Sequence, residues 1–518
     1  MPRKSLIRAL CALALVLFVS SALGSSASAM VRNSDNRLVT PTAYDWPMLM
    51  HDSSHSANVV EPGPYTNAVL GHKSLGGSII TSPAAANESI YVVVGSSLKA
   101  LNSSDLSAFW SKSLGGATHS SPASAGGEVY VNEANGTILA VNGATNGNGA
   151  TDWRIKPKSA TPIMSSPTVQ SGQLFVSFYN GSLVAISTST QKVNWSYPTG
   201  SNLVASPAAN GQLVAVGATN GVEYFIDEGT GSLYWSVQTG AGISSSASFS
   251  GANAYFGSND SRVYAVDTAS KSVSWEFTTT GHVLSTPVAA DGNVYAASLG
   301  GSLYAIKAST GSDVWTFSSG AVSADLALAE GTHKGLNPTF VPLVYVVSTS
   351  GTLNAVNRDT GKSVWNLALS GGNGGSPIVA YTKVYVGTSS GYFAEIGALR
   401  FATATATFDT SGNYQTSFSP TSTVVIGANA AWGKFGLNYT WVSVTAPGKP
   451  KSVLVDNATM TFIPGQSNYN LYYSLNLQNA KSGTYKIIVW IEDGNPKGGS
   501  ANPRCCGWVK FQAQFTVS

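Results

Sequence analysis

The chain has few cysteines and few charged residues for its length. Of its 518 residues, three are cysteines and 10% are charged, so a hydrophobic core, and not a disulfide framework, must hold the fold. The formal net charge of +3 comes from Arg3, Lys4 and Arg8, and acidic and basic residues are equal in number beyond residue 29. A neutral surface excludes long-range electrostatic steering. We therefore expect no nucleic-acid partner.

The N-terminal leader, residues 1–29, lacks the ~20 consecutive apolar residues that span a bilayer. Residues 1–29 have a basic start, an apolar run over residues 9–19 and the small-residue exit Ala27-Ser28-Ala29, which is the pattern of a secretory signal peptide. We predict a secreted or cell-surface protein with no membrane span in the mature chain. Cys11 leaves with the leader, so the mature chain keeps only Cys505 and Cys506.

Glycine-rich turns separate short apolar stretches, and the clearest unit spans residues 286–320. Its four apolar alternations, separated by Asp-Gly, Gly-Gly and Thr-Gly, predict four antiparallel strands joined by tight turns. One such sheet cannot bury both of its faces alone. The unit recurs eight times, and each copy opens on a Ser-Pro or a related pair. These marks begin at Ser82, Ser121, Ser166, Ser206, Ser246, Thr286, Ala324 and Ser376.

The last unit is incomplete, because it stops after its third strand at about Ile396. Residues 69–75 precede the first unit at the interval of a fourth strand, with Gly71 where a tryptophan would stand. A fourth strand donated to the last unit would close a ring and remove its open edges. We therefore predict an eight-bladed β-propeller over residues 68–397. The competing architecture, a linear β-solenoid, would leave both ends to be capped.

A tryptophan recurs in the last strand of seven units. A large ring at the same place in every outer strand is expected to pack between neighbouring blades, because a ligand would need one or two aromatic rings and not one per blade. The predicted blade-packing residues are Trp110, Trp153, Trp195, Trp235, Trp275, Trp315 and Trp365.

Two further segments flank the predicted ring. We expect residues 30–67 to form an extended arm that lies on the main domain. His51 and His55 in this arm have the spacing of a helical metal site, but no helical apolar stripe accompanies them, so we predict packing or solvent contact. Residues 401–518 change to longer strand-like runs, which predict an immunoglobulin-like β-sandwich. Tyr485 is its candidate tyrosine-corner residue.

The repeat TPVAADGNVYAASLGGSLYAIKASTGSDVW, at residues 286–315, resembles the pyrroloquinoline-quinone (PQQ)-type propeller repeat. That family includes quinoprotein dehydrogenases and cofactor-free propellers, among them the bacterial outer-membrane assembly lipoprotein. The resemblance implies that an enzyme would hold PQQ and calcium on long inserts, whereas most units here are near the minimum of ~40 residues. The enlarged places are residues 146–151 and 330–342. We expect no cofactor unless the chain is such an enzyme.

Polar residues are expected at one mouth of the channel, on loops between blades and between second and third strands. We interpret them as solvated groups rather than a metal or cofactor site. They are His119, Glu133, Asp260, His282 and Asp325.

Cys505 and Cys506 are adjacent, so a trans peptide holds their Cα atoms ~3.8 Å apart, below the ~4.4–6.8 Å of ordinary disulfides. A bond between them needs a distorted or cis peptide. For an exported protein, we expect either that strained vicinal disulfide as a loop staple or cross-links to a partner chain. A redox role ranks third.

Three functions remain open from the sequence. The first is a non-catalytic binding scaffold for protein or surface-glycan partners, favoured by compact units and a neutral surface. The second is a PQQ- and calcium-dependent dehydrogenase that oxidises alcohols or sugars. The third, an outer-membrane assembly factor, is disfavoured because no cysteine follows the leader for acylation and because the C-terminal domain is extra.

Overall fold

The computed structural model describes residues 45–64, 67–145, 148–157, 162–330 and 342–397, with strand segments before and after these ranges. Every helix-or-strand element in this part of the chain is a β-strand, which confirms the predicted all-β class. Within the described residues, no helix is long and apolar enough to cross a membrane.

Eight antiparallel four-stranded blades, one of which gains a fifth, parallel strand, confirm the predicted eight-bladed propeller. Blade 1 consists of Ala84–Ala86, Ser89–Val94, Ser97–Asn102 and Ala108–Ser113. Blade 2 consists of Ala123–Ala125, Glu128–Asn132, Ile138–Asn142 and Thr151–Ile155. Blade 3 consists of Thr168–Gln170, Gln173–Ser177, Ser182–Ser187 and Val193–Pro198. Blade 4 consists of Ala208–Ala209, Leu213–Gly217, Val222–Asp227 and Leu233–Gln238. Blade 5 consists of Ser248–Ser250, Asn253–Gly257, Arg262–Asp267 and Ser272–Thr278. Blade 6 consists of Val288–Ala290, Asn293–Ala297, Ser302–Lys307 and Asp313–Ser318. Blade 7 contains Ala327–Glu330, Leu343–Val347, Thr352–Asn357 and Ser363–Ala368.

Blade 8 takes its outer strand from the other end of the ring. Ile378–Ala380, Lys383–Gly387 and Tyr392–Gly397 form three strands, and Ala68–Ser74 pairs antiparallel with the third. Gly71 lies opposite Glu395 in this register, as Trp110 lies opposite Ala100 in blade 1. The ring therefore closes through the donated strand that the sequence predicts, with glycine at the tryptophan position.

The inner and middle strands carry the core. The second and third strands of each blade are buried on both sides, which explains their continuous apolar runs. Most of the apolar clusters join two adjacent blades, such as Val129 of blade 2 with Tyr91 of blade 1. Burial between blades thus provides the second face that a single sheet lacks.

The structure corrects the register of the seventh repeat mark. Asp325, and not Ala324, occupies the Ser position, because its backbone N–H donates to Ser376 Oγ (2.9 Å) and its Oδ1 accepts the N–H of Thr286 (2.8 Å). The first strand then begins two residues later at Ala327, as it does after the other marks. The predicted mark at Ala324 therefore lies one residue too early, because the position requires a hydrogen-bond acceptor and not only a small side chain.

The segments outside the ring also form strands. Val31–Arg32 pairs with Leu38–Val39 near the N-terminus. Beyond the ring, one sheet has the order Ala402–Phe408, Thr423–Ala430, Leu471–Asn476 and Thr461–Phe462. Another sheet has the order Ser417–Phe418, Val509–Val517, Gly483–Asp493, Leu437–Thr445 and Val453–Thr459. Cys505 and Cys506 lie outside the described residues.

Candidate functional site

The eight repeat marks meet around the channel as a ring of hydrogen-bonding side chains. The backbone N–H of Ser82 donates to Ser121 Oγ (3.0 Å), and the N–H of Ser121 donates to Ser166 Oγ (2.8 Å). The same bond links Ser166 to Ser206 and Ser206 to Ser246. Asp325 accepts the N–H of Thr286 and donates its own N–H to Ser376 Oγ in the same way, so a short polar side chain ties one blade to the next at six of the eight junctions. This hydroxyl ring consists of Ser82, Ser121, Ser166, Ser206, Ser246, Thr286, Asp325 and Ser376.

A cavity of about 210 Å³ opens at this ring. Most of the hydroxyl ring lines it, and a second tier comes from residues that stand two positions earlier in each repeat. The second tier consists of Ile80, His119, Met164, Val204, Ser244, Leu284, Ser323 and Gly374. Ile80 and Met164 are 42% and 38% exposed, respectively. The cavity therefore combines a polar inner tier with a partly apolar mouth.

The N-terminal arm lies inside the ring, whereas the sequence placed it on the domain. Trp46 pairs with Ala85 of blade 1, the carbonyl of Ser53 accepts the N–H of Ala209 in blade 4, and Asn58–Pro62 adds a parallel fifth strand to blade 7. Leu49 of the arm also lines the cavity. The arm therefore crosses the channel and forms part of the cavity wall.

The two arm histidines differ in environment. His55 is fully buried and its Nδ1 lies 2.8 Å from the carbonyl oxygen of Ala247; burial lowers the pKa of this imidazole from its ordinary value of 6.5. His51 is partly exposed and packs edge-on against Trp46. Within the described residues, no group of three or more His, Cys, Asp or Glu side chains could hold a metal ion.

The five predicted mouth residues are only partly brought together. His119 and Asp325 line the cavity. Glu133 instead accepts the N–H of Gly115 (2.8 Å), in the connection between blades 1 and 2. Asp260 accepts the N–H of Gly240 (2.8 Å) and the hydroxyl of Tyr264 (2.6 Å). His282 is exposed in the connection between blades 5 and 6 and is not part of the lining.

The hydroxyl ring is the part of the site that the sequence interpretation missed. In the sequence its members stand out only as marks for the start of a strand. The signal that could have identified them is the exact recurrence of a small hydroxyl residue, interrupted by the carboxylate of Asp325. Of the two enlarged loops, residues 146–147 and 331–341 lie outside the described part of the chain.

Five of the seven tryptophans at the recurring position donate a hydrogen bond to a carbonyl beyond their own blade. Trp315 Nε1 donates to the carbonyl of Arg358 (2.8 Å), and its ring lies 5.9 Å from that of Tyr295. A Cβ on Gly361 would come within 2.7 Å of the Trp315 ring, so glycine is needed at this close approach. The other donor and acceptor pairs are Trp110 with Ala144, Trp195 with Glu228, Trp275 with Ala308 and Trp365 with Pro64.

Blade 8 replaces the missing tryptophan with an ion pair. Lys383 Nζ lies 2.5 Å from Glu395 Oε1, and the Glu395 side chain is only 4% exposed. Lys383 also donates to the carbonyl of Ser103 (2.9 Å), which accepts the hydroxyl of Tyr385 as well (2.8 Å). Ser103 stands in blade 1 where the other acceptor carbonyls stand in their blades. The Lys383 ammonium group, paired with Glu395 inside blade 8, therefore makes the blade-to-blade bond at the closure.

A second carboxyl group is buried in blade 4 without such a partner. Glu223 is fully buried, and neither oxygen has a hydrogen-bond partner among the described residues. Burial raises the pKa of this carboxyl well above its ordinary value of 4.5. Glu223 lies against Gly217 and is not part of the cavity lining, so it belongs to the packing of the blade.

The cavity does not fit a quinone cofactor with calcium. Calcium takes about six to eight oxygen ligands, usually with several carboxylates, but among the described lining residues Asp325 is the one carboxylate. The same lining contains no Lys or Arg that could pair with the acidic groups of PQQ. The residues of this cavity therefore supply neither half of that cofactor site.

Comparison with known proteins agrees with the repeat architecture. The profile of the family described as outer membrane protein assembly factor BamB matches this chain at residues 55–166, 144–248, 220–332 and 318–436. No curated protein sequence matches the chain.

Solved structures resemble the chain in fold at low sequence identity. The crystal structure of BamB from Moraxella catarrhalis has 15% identity and a TM-score of 0.50, over 64% of this chain and 97% of that one. The computationally designed Ika8 protein has 14% identity and a TM-score of 0.53, over 62% and 98% of the two chains. A europium-containing methanol dehydrogenase has 13% identity and a TM-score of 0.53, over 66% and 89%. At these identities the likeness shows the propeller fold alone.

Proposed function

Because the chain belongs to the family described as outer membrane protein assembly factor BamB, we propose that it is a non-catalytic propeller that binds protein or glycan partners outside the cell. The observation that supports this proposal is that the N-terminal arm occupies the channel. The chain's own arm crosses it and contributes Leu49 to the cavity, where an enzyme of this architecture would bind its cofactor. The blade faces and edges, and the cavity that remains beside the arm, are then the surfaces left for partners.

Two further features belong to this proposal. We infer export from the signal-peptide pattern of residues 1–29. We also propose that residues 401–518 form an immunoglobulin-like β-sandwich used as a spacer or contact surface. Nine short and long strands in two sheets support this assignment, as does the burial of Tyr485, the candidate tyrosine-corner residue.

The alternatives have different support. The family description favours an assembly-factor role as the second candidate, although no cysteine follows the leader for acylation. A PQQ-dependent dehydrogenase has less support, because the cavity lining offers one carboxylate and no basic side chain except His119.

Partner capture from the native surface tests the proposal. The tagged full-length protein is incubated with solubilised surface material and recovered, with the designed Ika8 propeller as a control for fold alone. We expect protein or glycan partners that the control does not retain. Sustained dye-linked oxidation of alcohols or sugars after loading with PQQ and calcium would contradict a non-catalytic function.

A further inference from the structure

The hydroxyl ring departs from its repeat at Asp325. Oδ1 of this residue accepts the N–H of Thr286, which is the same hydrogen bond that a serine hydroxyl accepts elsewhere in the ring. Serine would therefore satisfy the fold at this position. Oδ2 has only a long contact of 3.5 Å with the hydroxyl of Ser376. The extra charge and the extra oxygen of Asp325 thus lie beyond what blade packing requires.

The ionisable neighbour of Asp325 in the part of the chain that the structure describes is the buried His55, and burial lowers the pKa of that imidazole below its ordinary value, so it is largely neutral at pH 7. No salt bridge involves it, and no Lys or Arg lines the cavity. Asp325 is half-buried, so its charge is screened less than that of a surface carboxylate. A partly enclosed negative charge in an otherwise neutral cavity favours a positive ligand. Electrostatics therefore selects a cation.

The serine hydroxyls are suited to the remaining donors of such a cation. Each of Ser121, Ser166, Ser206 and Ser246 accepts one backbone N–H. A hydroxyl oxygen has two lone pairs, so one acceptor position remains on each. An ammonium group has three donors. One donor can bind Asp325 while another binds the nearest ring hydroxyl, since Ser376 Oγ accepts one backbone N–H and lies 3.5 Å from Asp325 Oδ2.

The apolar residues at the mouth of the cavity favour a ligand that carries an apolar stem next to its charged group. Ile80, Met164 and Leu284 lie in the tier at the mouth, outside the polar ring. The cavity volume of about 210 Å³ is many times the ~10–15 Å³ that one water molecule needs, so an ammonium group on a short alkyl chain can enter. Methylene groups would contact the mouth while the charged end reaches the ring.

We propose that this cavity binds a primary ammonium group carried on a short alkyl chain, with Asp325 as its counter-ion. The ligand is either a free alkylamine or a lysine side chain of a partner, and the second case rests on the proposed binding function. Asp325 is then a ligand-binding residue, and the hydroxyl ring has a second role besides joining the blades.

Calorimetric titration of the full-length protein tests the chemistry. The probe is N-acetyl-lysine methylamide, and the control ligand is N-acetyl-norleucine methylamide, which keeps the alkyl chain but lacks the ammonium group. We expect the lysine probe alone to bind, and Asp325→Asn to weaken its binding by about 10-fold or more. Asp325→Ser restores the residue type of the repeat and provides a second variant that should fold. Asp260→Asn removes a carboxylate outside the cavity and should leave affinity unchanged.

Several results would overturn the proposal: no heat of binding with the lysine probe, equal binding of the norleucine control, or unchanged affinity in both Asp325 variants.

A competition experiment distinguishes the two sources of the ammonium group. If a captured partner is released by N-acetyl-lysine methylamide and lost in Asp325→Asn, the group is a partner lysine. If the probe binds while partners stay attached, the ligand is a free amine. If partners are captured by wild type and variant alike and the probe does not bind, the ammonium site is refuted while the scaffold function stands.

Discussion

The carboxyl group of Glu223 lies where the neighbouring blades place an apolar side chain. Glu223 is opposite Gly217 on one side and Val237 on the other, and Leu183 and Val263 take the same register position in blades 3 and 5. We predict that Glu223→Leu stabilises the protein at pH 7. The substitution removes two buried oxygens that have no hydrogen-bond partner among the described residues.

The size of the effect follows from this environment. A buried polar group without a partner costs about 1–3 kcal/mol, so the free energy of unfolding should rise by about that amount. Burial raises the pKa of Glu223 in the folded state well above 4.5, so the folded state keeps a proton that the unfolded state releases. As the pH rises above 4.5, the wild type therefore loses up to about 1.4 kcal/mol per pH unit until the folded pKa is passed.

Urea unfolding followed by tryptophan fluorescence, at pH values from about 4 to 8, measures both effects. Glu223→Leu and Glu223→Gln should each remove this pH-dependent loss, and the leucine variant should also raise the unfolding midpoint. Glu276→Gln is the matched control, because Glu276 is exposed and its pair with Arg262 lies on the surface. A leucine variant that is less stable at pH 7 and keeps the pH dependence of the wild type would refute the reasoning.

Three further predictions concern blade contacts and the arm. Trp315→Phe keeps the ring but removes the hydrogen bond to Arg358 and should cost about 1 kcal/mol in urea unfolding; no loss would argue against the bond. Lys383→Met leaves Glu395 buried without its cation and should cost about 3–5 kcal/mol, partly recovered when Glu395→Gln is added. Because burial lowers the pKa of His55, the unfolded state takes up its proton first, and stability should fall as the pH drops below 6.5. His55→Gln should reduce that dependence in thermal unfolding, and an unchanged pH profile would contradict it.

The sequence predicts the ring because its marks are local and repeated. Apolar alternation and glycine turns define each blade. The donated strand is recognised by its interval before the first mark, and Gly71 takes the tryptophan position opposite Glu395. Three features could not be predicted. The ring position of Asp325 is not visible in the repeat pattern, because the hydrogen bond requires an acceptor and not a particular residue type. The arm has no periodicity, so its path through the channel depends on contacts that form only after the ring exists. Glu223 breaks the apolar pattern of its strand, and the pattern alone gives no environment for its carboxyl.

The position of the closing segment has a consequence for folding. The arm and the donated strand are contiguous, and their partners come late in the chain: Trp365 bonds to Pro64 across 301 residues. At about 5–20 residues per second of synthesis, that interval lasts about 15–60 s. During this time the arm can contact only the earlier blades, such as Ala85 of blade 1, and the donated strand lacks its partner strand in blade 8. Two chains made side by side can therefore exchange these segments, and the resulting domain-swapped dimer would keep the blade 8 pairing of the monomer.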